Sequence, residues 1–223
     1  VFYHNNFISN IEHQALNFGS GTVWDDGYPS GGNYWSDYGG FDKKSGPKQD
    51  ETGSDGIGDR SYLYLGDKYP LMGPFNMFDA GTWNGVSYNV DIISNSTISD
   101  FHFNPEEGAF LRFNVNGTSG TVGFCRVTIP KSLLWVEDGW TITVGGQPIT
   151  DCGIIPDGDF TYLYFSYNHS TKTVIIQGTY VVPEFPTAIL LPIFMMATLI
   201  AIVFVKRRYS TAIRARHMSV VGI

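Results

Sequence analysis

LRFNV, residues 111–115, alternates apolar side chains with Arg112 and Asn114, and YLYFSY, residues 162–167, shows the same period of two. Such alternation places one set of side chains on a single face of a β-strand, where they can form a core. Further short strands are predicted between the turn sequences NGTSG, VGGQP, PDGD and NHST. Their predicted bounds are 87–93, 97–104, 109–115, 123–129, 140–144, 147–151, 161–167 and 173–180. This many strands in about 100 residues predict an immunoglobulin-like β-sandwich.

The composition of the chain changes near residue 75. Before it, Asn, Gly, Asp, Tyr and Trp dominate, whereas Val, Ile, Phe and Thr are frequent after it. No stretch before residue 187 has a sustained helical period, so this whole region is predicted to be all-β. The predicted divisions are residues 1–74, a linker at 75–84, the sandwich at 85–182, an anchor segment at 183–205 and a tail at 206–223.

One segment near the C-terminus is long and apolar enough to span a membrane. It reads TAILLPIFMMATLIAIVFV, residues 187–205, and contains no charged side chain. About 20 residues at ~1.5 Å each cover the ~30 Å hydrocarbon core. A buried core helix, the alternative, is usually shorter and seldom ends in a basic cluster such as Lys206-Arg207-Arg208. The sequence therefore predicts one transmembrane helix.

Charge is divided sharply by this segment. Residues 1–186 hold all 21 acidic residues and 9 of the 14 Lys and Arg, a net charge of −12. Residues 206–223 hold the other five basic residues and no acid. The positive-inside bias then predicts a single-pass protein of the cell membrane, with a cytoplasmic tail and an extracellular bulk. Phosphate would be repelled by the acidic bulk, which argues against nucleic acid as a partner.

Export of such a bulk requires a signal peptide, and the chain opens on Val1 with no such segment. The protein is therefore expected to continue upstream. The opening run, VFYHNNFISNIEHQALNFGSG, mixes single large apolar residues with closely spaced Asn. In a right-handed parallel β-helix, Asn suits the corners and stacks from coil to coil. One coil does not establish a period, so an irregular, loop-rich β-domain is the alternative.

Three runs within residues 1–73 carry a family resemblance: NNFISNIEHQAL, VWDDGYPSGGNYWSDYGGFD and SDGIGDRSYLYLGDKYPLM. In this order they closely resemble the end of NosD-type proteins, whose β-helices belong to a carbohydrate-binding and sugar-hydrolysis group. The resemblance implies that residues 1–74 are the last coil and C-terminal closure of a β-helix with further coils upstream. A closure covers the backbone and apolar core that the last coil would expose.

The family takes its name from a periplasmic protein implicated in supplying copper to nitrous oxide reductase. Copper prefers Met, Cys or His ligands at close quarters. Residues 1–74 contain His4 and His13 but no Cys, and Met72 is distant from both histidines in the sequence. Copper delivery is therefore an alternative that the resemblance suggests and the residues do not support.

The segment DETGSDGIGD, residues 50–59, is the candidate calcium site. Calcium takes several oxygen ligands around a tight glycine turn, as in loops of the form D-x-D-x-D-G. With Asp55 at the fifth position the third is Gly53, which has no side-chain ligand, so an acidic turn without an ion is the alternative. The candidate ligands are Glu51, Asp55, Asp59 and the carbonyl of Ile57.

Aromatic residues among Gly, Asn and Asp make a carbohydrate platform conceivable. Rings stack on sugar faces while carboxylates and amides bind hydroxyl groups. The interpretation we favour is that these rings instead cap the core of the β-helix. The candidate carbohydrate contacts are Trp24, Tyr34, Trp35 and Tyr38.

No catalytic residue is predicted. Asp25, Asp26 and Asp37 are possible acid/base carboxylates, but glycoside cleavage needs two of them at a fixed separation. Asp-Asp-Gly and Ser-Asp are also common turn sequences. The catalytic groups of a sugar-active enzyme would therefore lie on upstream coils.

Residues 85–182 carry two further kinds of candidate site. N-glycosylation acceptor sequences begin at Asn95, Asn116 and Asn168, all near predicted turns, and predict glycosylation of an exported domain. Cys125 and Cys152 could form a disulfide in an exported protein. A small buried Cys125 within a strand is the alternative.

The same part of the chain, including GFCRVTIPKSLL and HSTKTVIIQG, resembles a domain seen just ahead of the membrane helix in many archaeal surface proteins. VPEFP, residues 182–186, resembles the PEF type of archaeal C-terminal sorting signal. That resemblance implies an archaeosortase that cuts within residues 183–186 and exchanges the helix for a lipid anchor. Retention of the helix is the simpler outcome.

The function predicted from the sequence is therefore that of a membrane-anchored, non-catalytic surface protein. Its β-helix would bind or scaffold extracellular polysaccharide or the cell-surface layer, and its sandwich would act as a stalk. The alternative is an anchored lyase or hydrolase whose active site lies upstream. Calcium is the one cofactor considered.

Overall fold

The computed structural model describes residues 1–182, 192 and 194–206. They consist mostly of β-strands in several sheets with one short helix, so the described chain is all-β as predicted. Residues 1–182 form one compact unit and residues 183–223 another. The strands are β1 (Asn6–Phe7), β2 (Tyr34–Trp35), β3 (Lys44–Ser45), β4 (Glu51–Thr52), β5 (Phe75–Trp83), β6 (Val86–Ser94), β7 (Thr97–Phe103), β8 (Phe110–Asn116), β9 (Val122–Pro130), β10 (Leu134–Trp135), β11 (Thr141–Val144), β12 (Gln147–Pro148), β13 (Cys152–Pro156), β14 (Phe160–Asn168), β15 (Lys172–Gln177) and β16 (Tyr180–Val181).

Two five-stranded sheets make up what we call the two-sheet body, residues 75–182. Their strand orders are β13-β14-β9-β6-β5 and β12-β11-β15-β8-β7, and neighbouring strands are antiparallel. Alternate residues of β8 and β14 are buried in one core that both sheets share. Leu111 and Phe113 are fully buried there, and each such side chain contributes about 1.5–3 kcal/mol. The apolar side chains that recur at every second position of the sequence are thus the ones that face this core.

All eight strands predicted between residues 85 and 182 are present, most with ends shifted by a single residue. The segment predicted as a linker, 75–84, differs, because it contains β5. The pairing of β5 with β6 shifts register between Asp79 and Thr82, and Gly81 in this bulge has φ of 91°. A bulge adds a residue and breaks the period of two, which hides the strand from pattern analysis.

Residues 1–74, which we call the N-terminal lobe, contain three chain segments stacked in parallel. β1 pairs with β2 in parallel, and Tyr34 of β2 forms a parallel bridge to Leu71. The rings of Phe7 and Trp35 stack with centroids 4.2 Å apart, and those of Trp35 and Tyr62 stack at 4.5 Å. The remainder of the lobe is mainly turns and loops.

The N-terminal lobe packs on the sheet that contains β9. Arg126 of β9 is fully buried and donates hydrogen bonds to the backbone carbonyls of Asp55 and Pro29 in the lobe. Its guanidinium lies 4.9 Å from the centroid of the Tyr162 ring. Gly56 has φ of 85°, and a Cβ there would lie 3.0 Å from the Arg126 Cβ, so this approach requires glycine. Lobe and body are therefore held together by buried contacts.

The second unit is described only in part. Residues 194–206 are helical, as is Pro192, whereas residues 183–191, 193 and 207–223 lie outside the described residues. Among the residues that are described, no helix combines the length and the apolar character needed to cross a membrane. The PEFP motif, the start of the predicted transmembrane segment and most of the basic tail fall outside this range.

Candidate functional site

A groove of about 610 Å³ lies between the N-terminal lobe and the edge strand β13. The lobe contributes the β3–β4 hairpin and the turn that follows it, and the body contributes β13 and the facing part of β14. The groove combines aromatic rings, hydroxyl groups and carboxylates. Those of main interest are Tyr28, Thr52, Tyr164, Glu51, Asp55 and Asp151.

The chemistry of this groove is that of a hydrogen-bonding, anionic surface. Burial raises the pKa of both Tyr28 and Tyr164 to about 12, so both phenols keep their protons at neutral pH. None of the residues that line the groove is Lys, Arg or His. Its volume falls in the range of ~300–1,000 Å³ typical of ligand sites. The groove therefore suits a polyhydroxylated ligand that is neutral or positively charged.

Two of the predicted calcium ligands, Asp55 and Asp59, already accept hydrogen bonds within the lobe. Asp55 accepts hydrogen bonds from the amide of Ile57 at 3.0 Å and from Gln49, and Asp59 accepts from the amides of Lys43 and Lys44, both at 3.0 Å. Within residues 1–182, 192 and 194–206, no group of three or more His, Cys, Asp or Glu is placed to hold a metal ion. Asp55 and Asp59 thus stabilise turns through these hydrogen bonds, and the calcium site stays a prediction.

Asp42 is a buried carboxyl group that the sequence analysis missed. It accepts hydrogen bonds from the amides of Asp55 and Gly56 at 3.1 and 2.7 Å and thereby fixes the turn of the predicted calcium loop. Burial raises its pKa to about 7. The FD dipeptide that contains it lies 13 residues before Asp55, so the sequence gives no local sign of the contact.

The predicted carbohydrate contacts Trp24 and Trp35 are wrong. Their exposed fractions are 6% and 1%, and with Tyr62 they form a buried aromatic core that Tyr38 packs against. The hydroxyl of Tyr38 donates to the carbonyl of Arg60 at 2.6 Å. Tyr34 is half-buried and packs against a second cluster, around Leu71. Both tryptophans are therefore core residues of the lobe, and the interpretation that the rings cap a β-helix core stays a prediction.

The three acid/base candidates occupy different surroundings. Asp25 accepts hydrogen bonds from the amides of Gly27 and Lys68, both at 3.1 Å, and Asp37 accepts one from the Tyr62 hydroxyl at 3.0 Å. Asp26 lines a separate cavity of about 390 Å³ between lobe and body. Asp25 and Asp37 therefore stabilise local structure through these hydrogen bonds. The structure does not present any two of the three carboxyl groups as an acid/base pair.

Asp91 lies in the same cavity as Asp26. Its Oδ1 atom is buried without a hydrogen-bond partner among the described residues, and burial raises the pKa of this carboxyl to about 6. A raised pKa means that the folded state binds the proton more tightly than the unfolded state. The resulting stability is complete below about pH 4 and is lost as the pH rises through about 6.

We expect Asp91→Asn to stabilise the protein near neutral pH by on the order of 2 kcal/mol and to have little effect near pH 4. The asparagine carries no charge, so it avoids the cost of ionising a buried carboxyl group. Urea unfolding midpoints measured between about pH 4 and pH 7.5 check this. The exposed Asp138→Asn is the control, and equal pH slopes for wild type and Asp91→Asn would contradict the prediction.

The predicted disulfide is also wrong. Phe165 of β14 is the register partner of both Cys125 in β9 and Cys152 in β13, so a whole strand separates the two cysteines. Two inter-strand spacings put their Cα atoms about 10 Å apart, beyond the ~7 Å limit for a disulfide. Both thiols are free, and burial raises the pKa of each to about 11.

The two histidines considered as copper ligands line different cavities. His4 stacks on Phe75 with ring centroids 4.3 Å apart, and burial lowers its pKa. His13 lines a surface cavity of about 520 Å³ on another part of the lobe. The structure therefore does not bring these two side chains together.

Comparison of the chain with protein-family models, with curated proteins and with solved structures finds no match. The groove beside β13 is larger than the cavities that His13 and Asp26 line, and it combines tyrosines, hydroxyl groups and carboxylates. We therefore take it as the candidate functional site.

Proposed function

We propose that this chain is the membrane-proximal part of a single-pass cell-surface protein that binds extracellular polysaccharide without cleaving it. In this proposal the N-terminal lobe closes a NosD-type right-handed β-helix and the two-sheet body is an immunoglobulin-like stalk. Residues 187–205 are the membrane anchor, retained or exchanged for lipid by an archaeosortase. The observation that carries the binding function is the hydroxyl-, tyrosine- and carboxylate-lined groove between lobe and body.

Parallel pairing supports the β-helix. Asn6, Tyr34 and Leu71 lie on three successive parallel segments, and the Asn5 amide donates to Asn33 Oδ1 at 2.9 Å. Stacked rings and stacked amides from one coil to the next are the expected interior of such a fold. Three parallel segments therefore favour the NosD-type interpretation over an irregular domain.

The path of the chain supports the stalk. The chain enters the two-sheet body at Phe75, which pairs with Ile93 close to the end of β6, and Ile93 in turn pairs with Arg126 in the middle of β9. It leaves at Val182, whose amide donates to the carbonyl of Leu133 just beyond the end of β9. The entry point is thus level with the middle of β9, and the exit lies beyond the C-terminal end of this strand. In the proposed stalk, the body therefore connects the lobe to the segment that follows Val182 at a position displaced along the strand direction.

The negative charge of the groove limits which polysaccharides can bind there. Glu51 and Asp151 would repel a polyanion and attract a polymer that carries amino groups. Neutral sugars can still bind through hydroxyl groups and the two tyrosines. We therefore expect affinity in the order chitosan, then dextran, with alginate not retained.

The test uses the detergent-solubilised full chain and the double variant Glu51→Gln/Asp151→Asn. We expect chitosan binding to fall about tenfold or more, since each lost charged hydrogen bond is worth ~1.5–3 kcal/mol. The matched control, Glu106→Gln/Asp138→Asn, makes the same change in net charge at exposed positions outside the groove. Equal losses for both double variants, or retention of alginate, would exclude the groove as a polysaccharide site.

A further inference from the structure

The three acceptor sequences for N-glycosylation lie at one end of the two-sheet body. Asn95 is in the turn between β6 and β7, Asn116 ends β8 and Asn168 ends β14. Asn116 is the register partner of Thr97, and Asn168 that of Val122, which places the three turns side by side. All three asparagines are exposed. This end is also the one at which the chain enters from the N-terminal lobe.

His169 joins these turns. Its Nε2 lies 2.8 Å from the Ser96 hydroxyl and its Nδ1 lies 2.6 Å from the Thr121 hydroxyl. The ring packs so closely on Gly117 and Gly123 that a Cβ at either would lie about 2.5 Å from ring atoms. Ser96 and His169 are the middle residues of two of the acceptor sequences. The three asparagines are therefore presented on a fixed framework.

The three side-chain amides differ in what they already bind. Asn95 Nδ2 donates to the carbonyl of Val122 and its Oδ1 accepts from the amide of Phe124, both at 3.0 Å, so this amide bridges the edge of β9. Asn116 uses only Oδ1, which accepts from the Thr171 hydroxyl at 3.0 Å. Within the described residues, neither Asn116 Nδ2 nor the side chain of Asn168 has a hydrogen-bond partner.

We propose that Asn116 and Asn168 carry N-linked glycans and that Asn95 does not, although all three have the acceptor sequence. This inference rests on the extracytoplasmic location in the proposed function. A sugar on Asn95 Nδ2 would replace one of its two hydrogens and place a bulky group against Val122. Whether transfer precedes or follows folding, molecules that reach this fold carry an unmodified Asn95.

The co-reactant is an oligosaccharide linked to a lipid through phosphate. The amide nitrogen of Asn116 or Asn168 forms a bond to C1 of the first sugar while the bond between C1 and the phosphate oxygen breaks. The lipid phosphate leaves, and the nitrogen loses one proton. The new glycans stand on neighbouring turns and cover the end of the body next to the lobe, away from Val182.

The test uses the full chain isolated from the membranes of the cells that produce it naturally, with peptides analysed by mass spectrometry. We expect glycan mass on the peptides of Asn116 and Asn168 and none on that of Asn95. Asn116→Gln and Asn168→Gln should each remove one glycan, as should Thr118→Ala and Ser170→Ala. Thr97→Ala, which destroys the acceptor sequence and keeps the Asn95 amide, should leave the mass of the protein's glycans unchanged.

Stability gives an independent readout of the same assignment. Asn95→Gln should lower the melting temperature by about 2–4 °C, because the bridge to β9 is worth ~1 kcal/mol. Asn116→Gln and Asn168→Gln, measured after enzymatic removal of glycans, should leave it nearly unchanged.

Whether residues 1–182 lie outside the cell is tested separately, by adding protease to intact cells. If protease cleaves residues 1–182 and either Asn116 or Asn168 is unmodified, or Asn95 is glycosylated, the glycan proposal is wrong and the proposed location stands. If protease on intact cells spares residues 1–182, the location is wrong and the glycan proposal is overturned with it.

Discussion

Arg126→Ala is expected to destabilise residues 1–182 by about 3–5 kcal/mol, the cost typical of removing one partner from a buried charged contact. The arginine is fully buried and donates to the carbonyls of Asp55 and Pro29. Its loss leaves the buried Asp55 carbonyl and the partly buried Pro29 carbonyl without this donor, and it removes a cation that acts on the Asp55 carboxylate. It also empties a space the size of the side chain between lobe and body.

Urea unfolding followed by tryptophan fluorescence measures this effect. Trp24 and Trp35 report on the N-terminal lobe, and Trp83, Trp135 and Trp140 on the two-sheet body. We expect the wild type to unfold in one transition and Arg126→Ala to lose the lobe first, at lower urea. Arg112→Ala, at an exposed position in β8, is the matched control and should change stability by less than about 0.5 kcal/mol. Indistinguishable curves for the two variants would disprove the role assigned to Arg126.

Trp35→Ala is expected to cost about 3–5 kcal/mol, as large aromatic truncations in a core do. The indole is 1% exposed and stacks between Phe7 and Tyr62. Its Nε1 donates to the buried carboxyl of Asp67 at 2.8 Å. Truncation therefore opens a cavity in the stack and leaves Asp67 with one donor fewer.

The informative control for Trp35 is Tyr64→Ala, because Tyr64 is 87% exposed and close to the same stack. It should change the free energy of unfolding by less than about 0.5 kcal/mol. Thermal melts of both variants, with chitosan binding measured in parallel, separate a core ring from a ligand platform. A Trp35→Ala protein that melts like wild type but no longer binds polysaccharide would restore the platform interpretation.

The strands of the two-sheet body could be predicted because each buries one face, so the sequence alternates. β5 could not, since the bulge at Gly81 interrupts the alternation. The sequence shows the tryptophans but does not predict which residues they contact. Phe7 and Trp35 stack although they are 28 residues apart, and a single coil is too little sequence to reveal such a spacing. Arg126 gave no local signal at all, because its partners lie 71 and 97 residues away.

The candidate sites show the same limit. The acceptor sequences at Asn95 and Asn116 follow the same three-residue rule, yet the Asn95 amide bridges β9 whereas the Asn116 nitrogen has no partner in the part of the chain that the structure describes. Likewise, two cysteines in one small sheet look suitable for a disulfide until the register places Phe165 between them. A motif identifies which residue types are present; hydrogen-bond partners and register depend on residues distant in the chain.

The separation of Phe75 and Val182 along the strand direction has a mechanical consequence. A tether attached at these two points transmits tension along the strand direction of β5 and β6, which pair over most of their length. Hydrogen bonds perpendicular to the strands are then loaded in shear, all at once, rather than peeled apart singly. If the two-sheet body is the stalk proposed above, it would give way under such a load only when a whole row of these hydrogen bonds ruptures together.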